Sequence, residues 1–221
     1  MPLEALLLDV DGTLVDSNDA HAQSWVDVLT RAGFQASFDE VRRLIGMGGD
    51  KLLPTVTGVS KEEARGRELA EERTRVFMEQ YLPRLRAFPD VRPLMERVRS
   101  RGVRLVVATS AQEGEAAALA KIAGIDDLLE AKTSSDDADR SKPDPDIVVA
   151  ALQRVKTTAD RAIMLGDTPY DVEAATRAGV PIIAVRSGGW GDADLRGAIA
   201  IYDDVRELLR RFDESPLARA R

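Results

Sequence analysis

At 221 residues, 44% hydrophobic and 31% charged, the chain has the size and composition of one large globular domain or of a domain with a sizeable insertion. Its 31 Lys and Arg against 38 Asp and Glu give a net charge of −7, which opposes general binding to nucleic acid or an anionic membrane, both of which need basic surface. Cysteine is absent and histidine occurs once, as His21, so thiol nucleophiles, zinc–thiolate sites and multi-histidine centres are excluded and only a hard, oxygen-ligated cation remains open. No apolar run reaches the ~18 residues of a membrane span, and Met1-Pro2-Leu3-Glu4 lacks the charged start of a signal peptide, so a cytoplasmic location is expected.

The first element, in the stretch from Leu3, is a short apolar run that reads as a buried strand and stops at Asp9-Val10-Asp11-Gly12-Thr13. Alternate residues of an extended chain share one side, about 6.6 Å apart, so Asp9 and Asp11 need something positive nearby. Residues 18–33 carry Ala20, Trp25, Val26, Leu29 and Ala32 at helical spacing; Asp39 to Leu44 opens a second helical piece, broken at Ile45 to Lys51. Residues 61–82 predict one long charged helix, with Ala64, Leu69, Val76, Phe77 and Tyr81 on its apolar side, before Pro83, Pro89 and Pro93 punctuate the chain. Strands are then expected at 103–108, 128–132, 161–165, 180–185 and 199–201, alternating with helices at 94–100, 113–123, 145–155, 170–178 and 203–212, and the tail from Glu214 is expected to be loose. Strands separated by helices predict an α/β fold, a doubly wound parallel sheet covered on both faces. Residues 18–85 interrupt that alternation as an inserted α-helical cap domain, leaving 1–17 and 86–221 as the core domain.

Ligands of open parallel sheets bind beyond the carboxyl ends of the strands. There the sequence places Asp9 and Asp11, Thr109-Ser110, Ser141-Lys142-Pro143, and Gly166-Asp167-Thr168-Pro169-Tyr170-Asp171. Each has a plain alternative: Thr109-Ser110 or Asp167 could cap the following helix, and Lys142 could be a solvated loop lysine. Together they supply four acids, hydroxyls and a lysine at one sheet edge. Four carboxylates demand a cation, all-oxygen ligation points to Mg²⁺, and Mg²⁺ with Lys142 and a hydroxyl suits a phosphate.

These four stretches, in this order, resemble the haloacid dehalogenase (HAD) superfamily over nearly the whole chain, and the helical insertion looks like the cap of its phosphoglycolate phosphatase and β-phosphoglucomutase branch. The resemblance implies a Mg²⁺-dependent phosphatase acting on a small phosphorylated metabolite through an aspartyl-phosphate. Asp9 would be the nucleophile and Asp11 the general acid and base. Lys142 would orient Asp9 and bind phosphoryl oxygens with Thr109 and Ser110, and Asp9, Asp11 (through its backbone carbonyl), Asp167 and Asp171 would serve the metal. Thr13 would shape the turn around Asp11, and Gly12 would let the backbone turn sharply there. The cap implies a small soluble substrate, phosphoglycolate or a sugar phosphate, with no nucleic-acid or membrane partner and a monomeric or homodimeric state.

Asp11 argues against dehalogenase and phosphonatase chemistry, both of which lack that acid. Met47-Gly48-Gly49-Asp50-Lys51 nevertheless looks like the phosphonatase cap-lysine stretch, and Lys51 is expected to contact substrate or to be a solvated helix-start lysine. The stronger alternative is a phosphomutase, since His21 and Trp25 match β-phosphoglucomutase; against it stand Gly49, where that pattern has an arginine, and Thr13. His21 is expected to pack at the cap hinge, and Arg42 and Arg43 to be solvated. A scaffold or binding protein on the same fold would show degraded catalytic positions, and none is missing; a response-regulator receiver would arrange its acids differently.

Overall fold

The computed structural model describes residues 2–219. Six apolar runs form its strands: β1 (Ala5–Leu8), β2 (Arg104–Ala108), β3 (Ala131–Thr133), β4 (Ala162–Gly166), β5 (Ile182–Val185) and β6 (Ala200–Tyr202). All pair in parallel, in the order β3-β2-β1-β4-β5-β6. Side chains alternate between the two faces. Leu6, Leu8, Leu105, Val107, Leu165 and Ile183 enter one apolar cluster, and Ala5, Leu7, Val106, Ala108, Met164 and Ile182 enter the other. Helices α5 (Val91–Ser100), α6 (Glu113–Ile122) and α9 (Val205–Arg210) cover the first face; α7 (Asp146–Arg154) and α8 (Pro169–Arg177) cover the second. The strand order reverses between β1 and β4, which opens a crevice beyond their carboxyl ends.

Between β1 and α5 run α1 (Asn18–Arg31), α2 (Phe38–Leu44), α3 (Gly49–Thr57) and α4 (Ala64–Val76). They share a third apolar cluster, with Trp25, Leu29, Val41, Leu52, Leu53, Leu69 and Val76 buried in it. The two stretches of chain that connect this segment to the sheet are bonded to each other: Asp16 N–H donates to Arg86 O (3.0 Å), Phe88 N–H donates to Leu14 O (2.9 Å), and Val15 bridges Ala87.

Three expectations need correction. The single helix over 61–82 is α4 followed by a π turn (Phe77–Tyr81) and a 3₁₀ turn (Leu82–Arg84). Helix α3 forms through a stretch read as broken by glycine, and with Pro54 inside it, because burying Leu52 and Leu53 outweighs local propensity. The tail from Glu214 is packed: Ser215 and Leu217 are buried, the latter against the sheet's first cluster.

Candidate active site

β1 delivers Asp9 to the crevice with its backbone N–H bonded to Leu165 O of β4 (2.9 Å). Lys142, completely buried, donates from Nζ to Asp9 Oδ1 (2.5 Å) and lies 2.7 Å from Asp171 Oδ1. A lysine is seldom buried unless paired, and the flanking carboxylates hold its pKa above the usual range despite the desolvation that opposes it. Asp171 is fixed by a capping box at the start of α8: its Oδ2 accepts from Thr168 N–H (3.0 Å) and Thr168 Oγ1 (2.7 Å), with Pro169 in the first turn. Thr168 therefore caps this helix, and Asp167 is free for the crevice. Its Oδ1 accepts from Thr13 Oγ1 (2.8 Å) and its Oδ2 from Asn18 Nδ2 (3.0 Å). Nor does Thr109 cap α6; its hydroxyl accepts from Ala111 N–H (3.1 Å).

Glycines make room for this. Gly12 has φ +75°, and a Cβ there would lie 2.1 Å from Asn18 Nδ2 and 2.3 Å from Asp167 Oδ2; at Gly188 a Cβ would lie 1.7 Å from Asp167 Oδ2.

Asp9, Asp167 and Asp171 offer carboxylate oxygens within 4.8 Å of one another, all buried. Desolvation raises Asp167 to about 7, with the charge of Asp171 adding to it, and desolvation with the three neighbouring acids drives Asp9 well above its ordinary value against the pull of Lys142. One lysine cannot neutralise three carboxylates, and Asp171 Oδ1 has no aligned hydrogen-bond donor. This donor set, oxygen only, fits a hard divalent cation.

Asp11 belongs to a different arrangement. Its Oδ1 accepts from Ser17 Oγ (2.5 Å) and contacts His21 Nε2 (2.6 Å), and its carboxylate is outside the three-acid group. The expectation of Asp11 as a metal ligand can therefore concern its backbone only. Burial opposes its ionisation, but His21, Ser17 and the charge of Arg73 outweigh it and hold its pKa low. His21 stacks on Phe77 (centroids 4.0 Å apart), and its Nδ1 is bonded to Arg73 Nη2. Arginine carries only donors, so Nδ1 accepts and the ring proton sits on Nε2, facing Asp11. The expected hinge packing of His21 is thus joined by a polar contact with the site.

Arg73 in turn donates to both oxygens of Glu115 (2.7 and 2.9 Å) and to Ser24 Oγ (3.2 Å), with its guanidinium 4.8 Å from the Phe77 ring centre. Asp9, Asp11, Thr109, Ser110, Arg73 and Glu115 line one cavity of about 80 Å³. Ser110 Oγ accepts weakly from Lys142 N–H (3.4 Å). Lys51 does not line this cavity: it pairs with Asp144 (2.5 Å) and donates to Ser141 O (2.7 Å), joining α3 to the Lys142 loop. Arg42 donates to Asp19 (2.6 Å) and Gly188 O (2.8 Å), so it is anchored instead of solvated.

Sequence reasoning overlooked Asn18, Arg73 and Glu115, and gave Thr13 a turn-shaping part where its hydroxyl bridges Asp167 and Asp9. The signal for the two charged residues was their spacing. Arg73 follows Leu69 by four and precedes Val76 and Phe77 by three and four, and Glu115 precedes the buried Leu119 by four, so each lies on the buried face of its helix.

The sequence matches the family model for haloacid dehalogenase-like hydrolases over residues 6–185. It is 32% identical over 216 residues to a phosphoglycolate phosphatase of Rhodospirillum rubrum (93% of this chain, 89% of the relative). It is 30% identical over 218 residues to a phosphorylated carbohydrates phosphatase of Thermotoga maritima (94% and 99%). A hydrolase from Pseudomonas syringae has the same fold, with TM-score 0.88, 26% identity and coverage of 96% of this chain and 98% of that one. With a family model spanning most of its length and its strand-end acids gathered in one crevice, the chain belongs to the haloacid dehalogenase-like hydrolases.

Proposed function

We propose that this enzyme hydrolyses a small phosphomonoester, of the phosphoglycolate or sugar phosphate type, through an aspartyl-phosphate on Asp9, with Mg²⁺ as cofactor. The observation that carries this reading is the separation of the two acids of the first motif. Asp9 shares a buried cluster with Lys142, Asp167 and Asp171, whereas Asp11 is turned to Ser17 and His21. Asp9, Asp167 and Asp171, with the Asp11 backbone, would hold Mg²⁺, which when bound neutralises carboxylate and phosphate charge. Lys142, Thr109 and Ser110 bind the phosphoryl oxygens. An Asp9 oxygen attacks phosphorus as the ester P–O bond breaks, and Asp11 gives its proton to the leaving oxygen. Water then attacks the same phosphorus, Asp11 takes the water's proton, and the bond between phosphorus and Asp9 breaks, releasing phosphate. A phosphate dianion beside Asp11 raises that carboxyl's affinity for a proton, which supplies the acid form for the first step. Residues 18–85 act as the cap that excludes bulk water during these steps.

Hydrolysis of a panel of small phosphomonoesters, with and without a chelator and for wild type against Asp9→Asn, tests the reading. Activity lost in both cases is expected; activity that survives chelator and mutation alike would overturn it.

A further inference from the structure

Asp9 and Asp11 line the cavity, and a leaving group held in it must meet the rest of the lining. Besides those two acids the lining carries four formally charged residues, Asp50, Lys61, Arg73 and Glu115. Their charges sum to zero, and the cancellation depends on Glu115. It is 2% exposed, comes from α6 beside the sheet, and takes both of its oxygens to the guanidinium of Arg73 on α4. Both bonds come from Nη1, while Nε donates to Ser24 and Nη2 to His21, so each nitrogen that a second anion could use is already engaged. A carboxylate or second phosphate placed there meets a buried carboxylate as well as an arginine already engaged by it. A hydroxyl can donate to Glu115 or accept from Arg73 at little cost, and removing either charged partner leaves the other buried and uncompensated.

We propose that Glu115 determines leaving-group specificity by neutralising Arg73, so that the site takes phosphomonoesters of uncharged, hydroxyl-bearing alcohols and rejects those whose leaving group carries a second anion. The inference rests on the phosphatase reading above and narrows it to the polyol and sugar side.

The test compares two nearly isosteric esters, 2-hydroxyethyl phosphate and 2-phosphoglycolate, which differ by one carboxylate charge. Wild type is expected to favour the hydroxyl ester in kcat/KM by about tenfold, the scale of one partly screened charge contact. Glu115→Gln keeps the shape, frees Arg73 and is expected to erase that preference; Arg73→Gln leaves Glu115 unpaired and is expected to widen it; Glu115→Asp is expected to retain it. The ratio of two substrates on one preparation is independent of the folded fraction, and a purely structural pair would not move it in opposite directions. A wild type that prefers phosphoglycolate, or Gln variants that shift the ratio the same way or not at all, would overturn the role of Glu115 while leaving the phosphatase reading standing. Failure of wild type to hydrolyse these or any small phosphomonoester would overturn the phosphatase reading itself.

Discussion

Asp167→Asn is expected to stabilise the metal-free protein while abolishing its hydrolysis. Burial lifts Asp167 from an ordinary 3.8 to about 7, with the charge of Asp171 adding to the effect. An acid whose folded pKa lies above its unfolded one binds more protons in the folded state, so it weakens the fold as pH rises from about 4 to 7. At 1.36 kcal/mol per pKa unit the full penalty above pH 7 is about 4 kcal/mol, and at pH 5 it is less than half of that. The amide loses part of this, because its NH₂ must face one of the two donors, Thr13 Oγ1 or Asn18 Nδ2, that the carboxylate accepts from. A net gain of about 2–3 kcal/mol at pH 8 is therefore expected, shrinking by more than half at pH 5. Urea unfolding in excess chelator at the two pH values reads it directly. Added Mg²⁺ should reverse the order, since binding to the folded wild type alone adds stability by mass action. A variant less stable than wild type at pH 8 in chelator, or an advantage independent of pH, would refute the charge argument.

Asp11→Asn preserves acceptors for Ser17 and His21 but cannot move a proton. Turnover should fall by about 10²–10⁴, and any label transferred from substrate should remain on Asp9, measured by intact mass. Unimpaired turnover would remove Asp11 from proton transfer. Gly12→Ala puts a Cβ 2.1 Å from Asn18 Nδ2 at φ +75°. It should cost about 1–3 kcal/mol in thermal or urea unfolding and raise the Mg²⁺ concentration needed for half-maximal activity. With β-glucose 1-phosphate the expected product is free phosphate; glucose 6-phosphate as the main product would favour a mutase instead.

The sheet was legible because its strands carry little but aliphatic residues, and the crevice because each strand ends abruptly in a polar residue. Asp9, Asp167 and Asp171 could be grouped on that ground alone, and they do meet. The competing capping explanation for Asp167 failed for a reason also present locally: Thr168 precedes Pro169 and stands three residues before Asp171, a capping box that makes a second cap unnecessary. What could not be read was contact between helices. Lys51 has the composition of a substrate ligand, and only the fold brings Asp144 within reach of it. Arg73 and Glu115 lie 42 positions apart on separately charged helices, and no periodicity within either says which partner the other supplies.

Asp9 and Asp11 are two residues apart and are driven in opposite directions. Desolvation and the surrounding acids favour the protonated form of Asp9, which is useless as a nucleophile; His21, Ser17 and Arg73 favour the ionised form of Asp11, which cannot protonate a leaving group. The ligand-free surroundings therefore bias each carboxyl away from the form that the proposed first step uses, with Lys142 opposing that bias at Asp9. A cation sharing the Asp9 cluster favours its ionised form, and a phosphate dianion beside Asp11 favours its protonated form. In the proposed mechanism the two corrections come from the metal and the substrate, so phosphoryl transfer would require both to be bound. The separation of the acids onto two networks makes this possible: on a single shared network the cation would pull the proton from both.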